Sequence, residues 1–316
     1  GMMLIVIRTL LWVRYRPVAQ VSHDDAPGMS IIIPAYNEGA MVRKAVEACA
    51  RAEYPRDRLE IIVIDDGSTD DTWTHMEAAQ RERPDLVKTI RFPVNAGKRT
   101  APAAGFAAAT GEILVTVDSD SLVERSALLA IAGPFRNERV GAVAGKVCVL
   151  NRFQSLLPRM LHVRFVLSFD FLRSVQSTYG TVYCCPGALS AYRATVVKAL
   201  VPAWLHQRFL GEACTIGEDR ALTNDVLAAG YQSVYQRTAV VQTLTRQLAG
   251  ATTLGTDIDA LRRAVGDLEQ RAAIPGGWKP TVPAPTMIDK RSQLPRHETI
   301  NFPTRSVDTI RQIIIH

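Results

Sequence analysis

The chain has 316 residues, 47% hydrophobic and 22% charged, and its mean hydropathy is +0.03. That is the make-up of a globular protein, and it excludes collagen-like, coiled-coil and wholly disordered chains. The net charge of +6 suits an anionic small molecule, a membrane surface or nucleic acid without choosing among them, and no run of about 18 apolar residues is present to cross a bilayer.

The first element is an apolar run, Met2–Val13, interrupted by Arg8 and followed by Arg14 and Arg16. It is too short to cross a membrane, and no small-residue cleavage site follows it. The readings that stand are an interfacial helix lying on a membrane surface or the stump of a longer membrane segment, against a helix packed on the domain. The cysteines are Cys49, Cys148, Cys184, Cys185 and Cys214. Their odd number and the absence of CxxC or HExxH patterns argue against a disulfide framework or a zinc site, and a reducing cytoplasm is the expected compartment. Adjacent Cys184 and Cys185 are expected as buried free thiols, because a bridge between neighbours is strained.

From Met29 onward, short Ile/Val runs alternate with amphipathic stretches. Ser30–Pro34, Glu60–Ile64, Val87–Arg91 and Ile113–Val117 read as strands buried on both faces. Gly39–Arg51, Asp70–Arg83 and Gly97–Thr110 read as helices, with Ser68-Thr69-Asp70-Asp71 supplying capping chemistry for the second. Strand, helix, strand, repeated, predicts an α/β fold with a mainly parallel central sheet flanked by helices. In such sheets ligands bind beyond the carboxyl ends of the strands.

Those ends are polar. Pro34-Ala35-Tyr36-Asn37-Glu38 follows the first strand, Asp65-Asp66-Gly67-Ser68 the second, Asn95-Ala96-Gly97-Lys98-Arg99 the third, and Asp118-Ser119-Asp120 ends the fourth. Carboxylates gathered at one edge repel unless a cation binds there, and a divalent ion carrying a phosphorylated ligand meets that need. Asp118 and Asp120, two residues apart at a strand end, project to one side and can reach one ion. A DxD alone more often caps a helix, and the strand-end context is what favours metal. Lys98, beside Gly97 at a helix start, is placed for phosphate. No Walker A loop and no GxGxxG are present.

The motifs IIIPAYNEG, IIVIDDGSTDDT, NAGKRTA and VTVDSDS, in order, resemble the family-2 glycosyltransferases, whose catalytic domain has the GT-A fold. CCPGALSAYR and FLGEACTIGEDRALTNDVL, which contains GEDR, are similar to the bacterial hyaluronan synthase and chitooligosaccharide synthase branch. The resemblance covers about residues 29–245. It implies an inverting glycosyltransferase that moves a sugar, GlcNAc or GlcA or both, from a UDP-sugar to a glycan acceptor hydroxyl at the inner face of the plasma membrane. By the same resemblance, Ala35, Tyr36, Glu38, Asp65, Asp66, Lys98 and Asp118 would hold the nucleotide sugar, and Asp118 and Asp120 a Mg2+ or Mn2+ ion. Gly187, Ala188, Tyr192 and Arg193 would line the acceptor side. Asp219 would be the general base, flanked by Glu218 and Arg220. The alternative for Glu218-Asp219-Arg220 is a helix start with an internal ion pair.

After Val240-Val241-Gln242-Thr243 the resemblance fails, because Gln247 is followed by no Arg-Trp pair of a QxxRW motif. A catalytically weak or inactive UDP-binding relative is the alternative function. The expected division is an N-terminal apolar segment, 1–28, a catalytic domain, 29–245, and an atypical C-terminal tail, 246–316. The tail predicts one helix over Asp257–Ala272, recurrent prolines from Pro275 to Pro303, and a short apolar end at Ile313–Ile315. Basic residues are not interleaved with aromatics, so nucleic acid is not expected as a partner.

Overall fold

The structure, a computed structural model, describes residues 2–154, 156–209, 212–214 and 217–243. The predicted tail elements and the departure after Thr243 lie outside the described residues.

The four Ile/Val runs form β1 (Met29–Ala35), β2 (Leu59–Asp65), β3 (Val87–Arg91) and β4 (Ile113–Thr116). They are followed by β5 (Ser121–Val123), β6 (Val140–Val149), β7 (Ser190–Arg193), a two-stranded ribbon of β8 (Arg208–Phe209) and β9 (Glu212–Ala213), and β10 (Gln232–Thr243). Eight strands make one sheet in the order β3-β2-β1-β4-β7-β6-β10-β5. The pairings β3–β2, β2–β1, β1–β4 and β6–β10 are parallel, while β7 runs antiparallel between β4 and β6 and β5 antiparallel to β10. The sheet is mainly parallel, as predicted, and its antiparallel members are β7, which enters between β4 and β6 from a distant part of the chain, and the edge strand β5.

Alternation along the strands sorts the core into two layers. Ile31, Ile33, Ile61 and Val63 point to one face. Helices α2 (Met41–Ala50), α3 (Thr72–Glu82) and α5 (Ala127–Ala132) cover it with Val42, Val46, Met76 and Leu128. Ile32, Ile62, Ile64 and Leu114 point to the other. There α4 (Thr100–Ala108), α8 (Ala194–Leu205) and α9 (Glu218–Ala228) contribute Phe106, Val197, Trp204, Leu222 and Val226. Strands apolar on both faces belong between two helical layers.

The helix α1 (Met2–Arg14) has no buried residue. It nevertheless lies against the segment Val166–Ser177, where Trp12 meets the Phe171 ring at 6.0 Å, so its exposed residues suit an interfacial helix and its contacts a helix laid on the domain. The chain just after α1 is firmly docked. Tyr15, Val21 and Ala26 are buried, the Tyr15 hydroxyl donates to the Tyr235 carbonyl at 2.7 Å, and the Gln236 amide pairs with both backbone groups of Val18. Helix α6 (Leu156–Phe165) continues through a π-helical stretch, Val166–Leu172, into α7 (Arg173–Ser177) and lies over the far half of β6. Phe165 and Phe169 pack there against the core, edge to face at 5.1 Å.

Candidate active site

The chain runs outward from β1 through β2 to β3, then returns to place β4 on the other side of β1. The switch point therefore lies between the carboxyl ends of β1 and β4, where open α/β sheets bind ligands. The loops there are tied to one another. Asn37 and Glu38 donate their backbone N–H groups to Ser68 Oγ and Thr72 Oγ1, at 3.0 and 2.9 Å, and Thr69 N–H donates back to Asn37 Oδ1 at 2.9 Å. The Asp66 carboxylate accepts from Ala96 N–H at 2.8 Å and Gly97 N–H at 3.2 Å. Gly39 N–H likewise donates to Thr72 Oγ1 at 2.8 Å, and with Gly39 and Gly97, the predicted first residues of α2 and α4, held in these loops at positive φ, both helices open later than predicted, at Met41 and Thr100. Gly67 makes the third link. Its φ is +73°, and a Cβ there would lie 2.4 Å from the Val94 carbonyl carbon, so only glycine lets the two loops meet.

Beyond these loops opens a cavity of about 650 Å³. Of the expected residues, Ala35, Tyr36, Glu38, Asp66, Lys98, Asp118, Asp120, Gly187, Tyr192, Glu218 and Asp219 line it. Its centre is Gly187, in the loop before β7. A Cβ at Gly187 would lie 2.8 Å from Asp118 Oδ1 and 3.4 Å from Asp219 Oδ2, so both carboxylates rest on the same glycine. Gly187 N–H donates to Asp219 Oδ2 at 2.8 Å. Asp219 lies in the first turn of α9, whose N-cap is Gly217. Thr223 Oγ1 donates to the Asp219 carbonyl and accepts from Cys185 N–H, which fastens the CCPG loop to α9.

The electrostatics follow from this crowding. Asp118 is hemmed in by protein atoms at the floor of the cavity, yet its carboxylate opens onto cavity water. Desolvation first, then the like charges of Asp219 and Asp120, push its carboxyl up to about 7, against the opposing pull of Lys98. Asp219 is pushed up to about 6 by burial and by Glu218, with the Gly187 N–H and Lys98 opposing. A pair of raised carboxylates in one cleft is a common mark of a functional site.

Four expected residues lie outside the cavity, each for a physical reason. Asp65 is fully buried, accepting from Ser68 N–H at 2.8 Å and lying 3.3 Å from Arg91 Nε, so it shapes the turn from beneath. Arg193 ends β7 opposite Ile113, at the far edge of the sheet, and its guanidinium donates to the carbonyls of Val140, Phe135 and Asn137. Ala188 is buried in the core. Arg220 points outward over the Tyr183 ring at 5.2 Å and makes no ion pair with Glu218. Cys184 and Cys185 are free, with Cys185 buried and Cys184 half-buried.

Motif reading passed over part of the lining: Phe106, Trp204 and Leu222. Trp204 Nε1 donates to the Glu218 carbonyl at 3.1 Å. Arg99, next to the exposed Lys98, is buried and donates to the Trp204 carbonyl and to Gln207, binding α4 to α8. These residues look like ordinary core in the sequence. An arginine amid the apolar start of α4 was the available signal.

Among the described residues, no three His, Cys, Asp or Glu side chains form a metal cage. Asp118 and Asp120 nevertheless fit a hard divalent ion, because Mg2+-type sites take one or two carboxylates and complete their shell with water and phosphate oxygens. Desolvation and the neighbouring carboxylates make the ionised form of Asp118 costly, a cost that a bound cation would offset.

A profile described as "Glycosyl transferase family 2" matches residues 30–201. The chain is 32% identical over 218 residues to an N-acetylglucosaminyltransferase of Azorhizobium caulinodans, covering 69% of this chain and 55% of that protein. It is 34% identical over 240 residues to a hyaluronan synthase of Streptococcus pyogenes, covering 74% and 56% respectively. The chain thus spans about half the length of these curated relatives. Its fold is similar to that of a mannosyltransferase from Pyrobaculum calidifontis in complex with GDP-Man and Mn2+, with a TM-score of 0.56, 21% identity, and coverage of 87% of this chain and 74% of that one. It is also similar to S. aureus TarS in complex with UDP-GlcNAc, with a TM-score of 0.51, 18% identity, and coverage of 76% and 66%.

Proposed function

The chain belongs to glycosyl transferase family 2, and from that premise we propose that it is an inverting transferase moving GlcNAc, GlcA or both from a UDP-sugar to a glycan hydroxyl. The observation that carries this is the meeting of Asp118 and Asp219 on Gly187 inside the switch-point cavity. An inverting displacement needs a base on the attacking side and charge neutralisation on the leaving side, with no covalent nucleophile.

Asp219 supplies the base. With its carboxyl near 6, it is ionised at neutral pH and more basic than an ordinary aspartate. Gly187 N–H fixes Oδ2, which leaves Oδ1 to take the proton of the acceptor hydroxyl. Asp118 and Asp120 would hold Mg2+ or Mn2+, which would supply Lewis-acid neutralisation of the diphosphate leaving group. Lys98 adds a cation at the same mouth, while Ala35, Tyr36, Glu38 and Asp66 form the nucleotide wall. The relative named N-acetylglucosaminyltransferase and the TarS complex with UDP-GlcNAc support the donor class.

The catalytic unit is taken as residues 29–245. The exposed apolar helix α1, with Arg8, Arg14 and Arg16, supports peripheral attachment to the inner face of the plasma membrane. Incubation with UDP-GlcNAc, UDP-GlcA and Mn2+ is expected to release UDP, and Asp219→Asn to stop it. Equal release by the variant would remove Asp219 from the role of base. The missing QxxRW favours a second reading, a UDP-binding relative with little turnover. Calorimetric UDP binding without transfer to any glycan would select it. Loss of vesicle flotation when residues 2–14 are removed tests the membrane contact.

A further inference from the structure

A second cavity, of about 310 Å³, lies between the far half of β6 and the helix α6 with its π-helical continuation. Its polar wall carries Lys146, Arg152, His162 and Asp170, and its apolar wall Phe165 and Phe169. The cations outnumber what the one carboxylate can neutralise. Asp170 is already met by Arg237 Nε at 2.6 Å and Lys146 Nζ at 3.8 Å. Glu124, which acts on neighbouring Cys148, is engaged by Gln242 Nε2 at 2.9 Å. Among the described residues no carboxylate pairs with Arg152, whose guanidinium lies over the Phe153 ring. His162 Nδ1 is buried without a hydrogen-bond partner. Buried polar atoms are normally satisfied, so this orphan in a residue that lines the cavity points to a missing partner, and a ring protonated on Nδ1 would donate to an anion there.

The cavity lies at the reacting end of the sheet. Thr116 of β4 and Ala144 of β6 are level with Ser190 of β7, so Lys146 and Cys148 extend beyond that line in the direction in which Asp118 leaves β4. At roughly 3.3 Å per strand residue, Lys146 stands about 7 Å past it. The buried Arg173 guanidinium lies 3.7 Å from the centroid of the Phe169 ring, and its charge also acts on Asp219.

We propose that this second cavity is an acceptor subsite for an anionic sugar, with Lys146, Arg152 and His162 holding the carboxylate of a uronate ring whose apolar face lies on Phe165. This rests on the transferase reading of the first cavity and adds to it the charge of the acceptor. A cationic edge beside an aromatic wall matches a ring bearing one carboxylate, since sugar C–H faces stack on aromatics while cations pair with the acid. A sugar phosphate presents the same chemistry from another source.

The test uses the full chain and follows the His162 imidazole signal by NMR, assigned with His162→Gln, while methyl glucuronide, glucose 1-phosphate and methyl glucoside are titrated separately. Methyl glucuronide is expected to move the signal saturably, with neutral methyl glucoside at least about ten-fold weaker. Lys146→Met together with Arg152→Ala should weaken glucuronide by about ten-fold or more and leave UDP affinity unchanged. Equal or tighter binding of glucose 1-phosphate supports an anionic-sugar site and reassigns its ligand from carboxylate to phosphate. No response to either anion, or an unchanged affinity in the double variant, overturns the subsite. UDP binding in the same samples separates the outcomes: UDP without glucuronide sinks the subsite alone, whereas loss of both strikes at the transferase reading.

Discussion

Replacing Asp118 with asparagine should make the metal-free protein more stable while removing its activity. The carboxyl rises from an ordinary 3.8 to about 7, through burial and the charges of Asp219 and Asp120. For a group sealed from water, that rise corresponds to about 4 kcal/mol of penalty on the ionised form. Asp118 opens onto cavity water, and screening brings the penalty to about 1–2 kcal/mol. The folded chain keeps this proton to a higher pH than the unfolded chain does, so the wild type loses stability as pH climbs from about 4 through about 7. Asparagine has no proton to lose and escapes that loss. Thermal melts in EDTA at pH 8 should therefore show Asp118→Asn melting about 3–6 °C above wild type, with the gap closing toward pH 5. Mn2+ with UDP should raise the wild-type midpoint and leave the variant's unchanged. A variant less stable than wild type at pH 8 in EDTA would refute the reasoning, because Asp118 would then be a structural hydrogen-bonding residue and not a crowded charge.

Three further expectations follow from the same geometry. Asp219→Asn should cut transfer by about 10²–10⁴-fold with UDP affinity nearly unchanged, and the wild-type kcat at saturating donor should fall on the acid side through about pH 6 as Asp219 takes up its proton; a flat profile there would exclude it as the base. Gly187→Ala should fold normally but lose about 100-fold in turnover, because its Cβ, 2.8 Å from Asp118 Oδ1, displaces the carboxylate; steady-state kinetics beside a melting curve reads both. Gly67→Ala should cost about 2–4 kcal/mol by denaturant titration, since its φ of +73° and the Val94 backbone at 2.4 Å leave no room, and the displaced Asn95–Lys98 loop should also weaken UDP.

Sequence alone carried the strand ends, because five-residue Ile/Val runs closed by polar motifs have one physical use in a doubly covered sheet. Residues directly beyond those ends, such as Ala35, Asp66 and Asp118, line the cavity that the switch point creates. Position one or two residues along a strand was harder to judge. Tyr192 faces the cavity while its neighbour Arg193 lies at the opposite edge, a distinction that needs the antiparallel register of β7 with β4. Nothing local to SAYR announces that register. The floor residues escaped for a different reason: Trp204 and Phe106 meet by a contact about a hundred residues long, and each alone is indistinguishable from core. The hydrogen bonds that join two strand ends through Asn37, Ser68 and Thr72 are not legible in the motifs, where Ser68 reads only as capping chemistry.

The crowding at Gly187 has a thermodynamic counterpart in solution. Below about pH 7 the carboxyls of Asp118 and then Asp219 take up protons where a divalent ion would otherwise place its positive charge. Loading the donor must then expel protons, as ligand exchange at any protonated metal site does. Donor binding is thus an acid-releasing event, measurable as buffer-dependent heat. Its affinity should weaken on acidification before the chemical step slows, so a falling pH would empty this pocket first and silence it second.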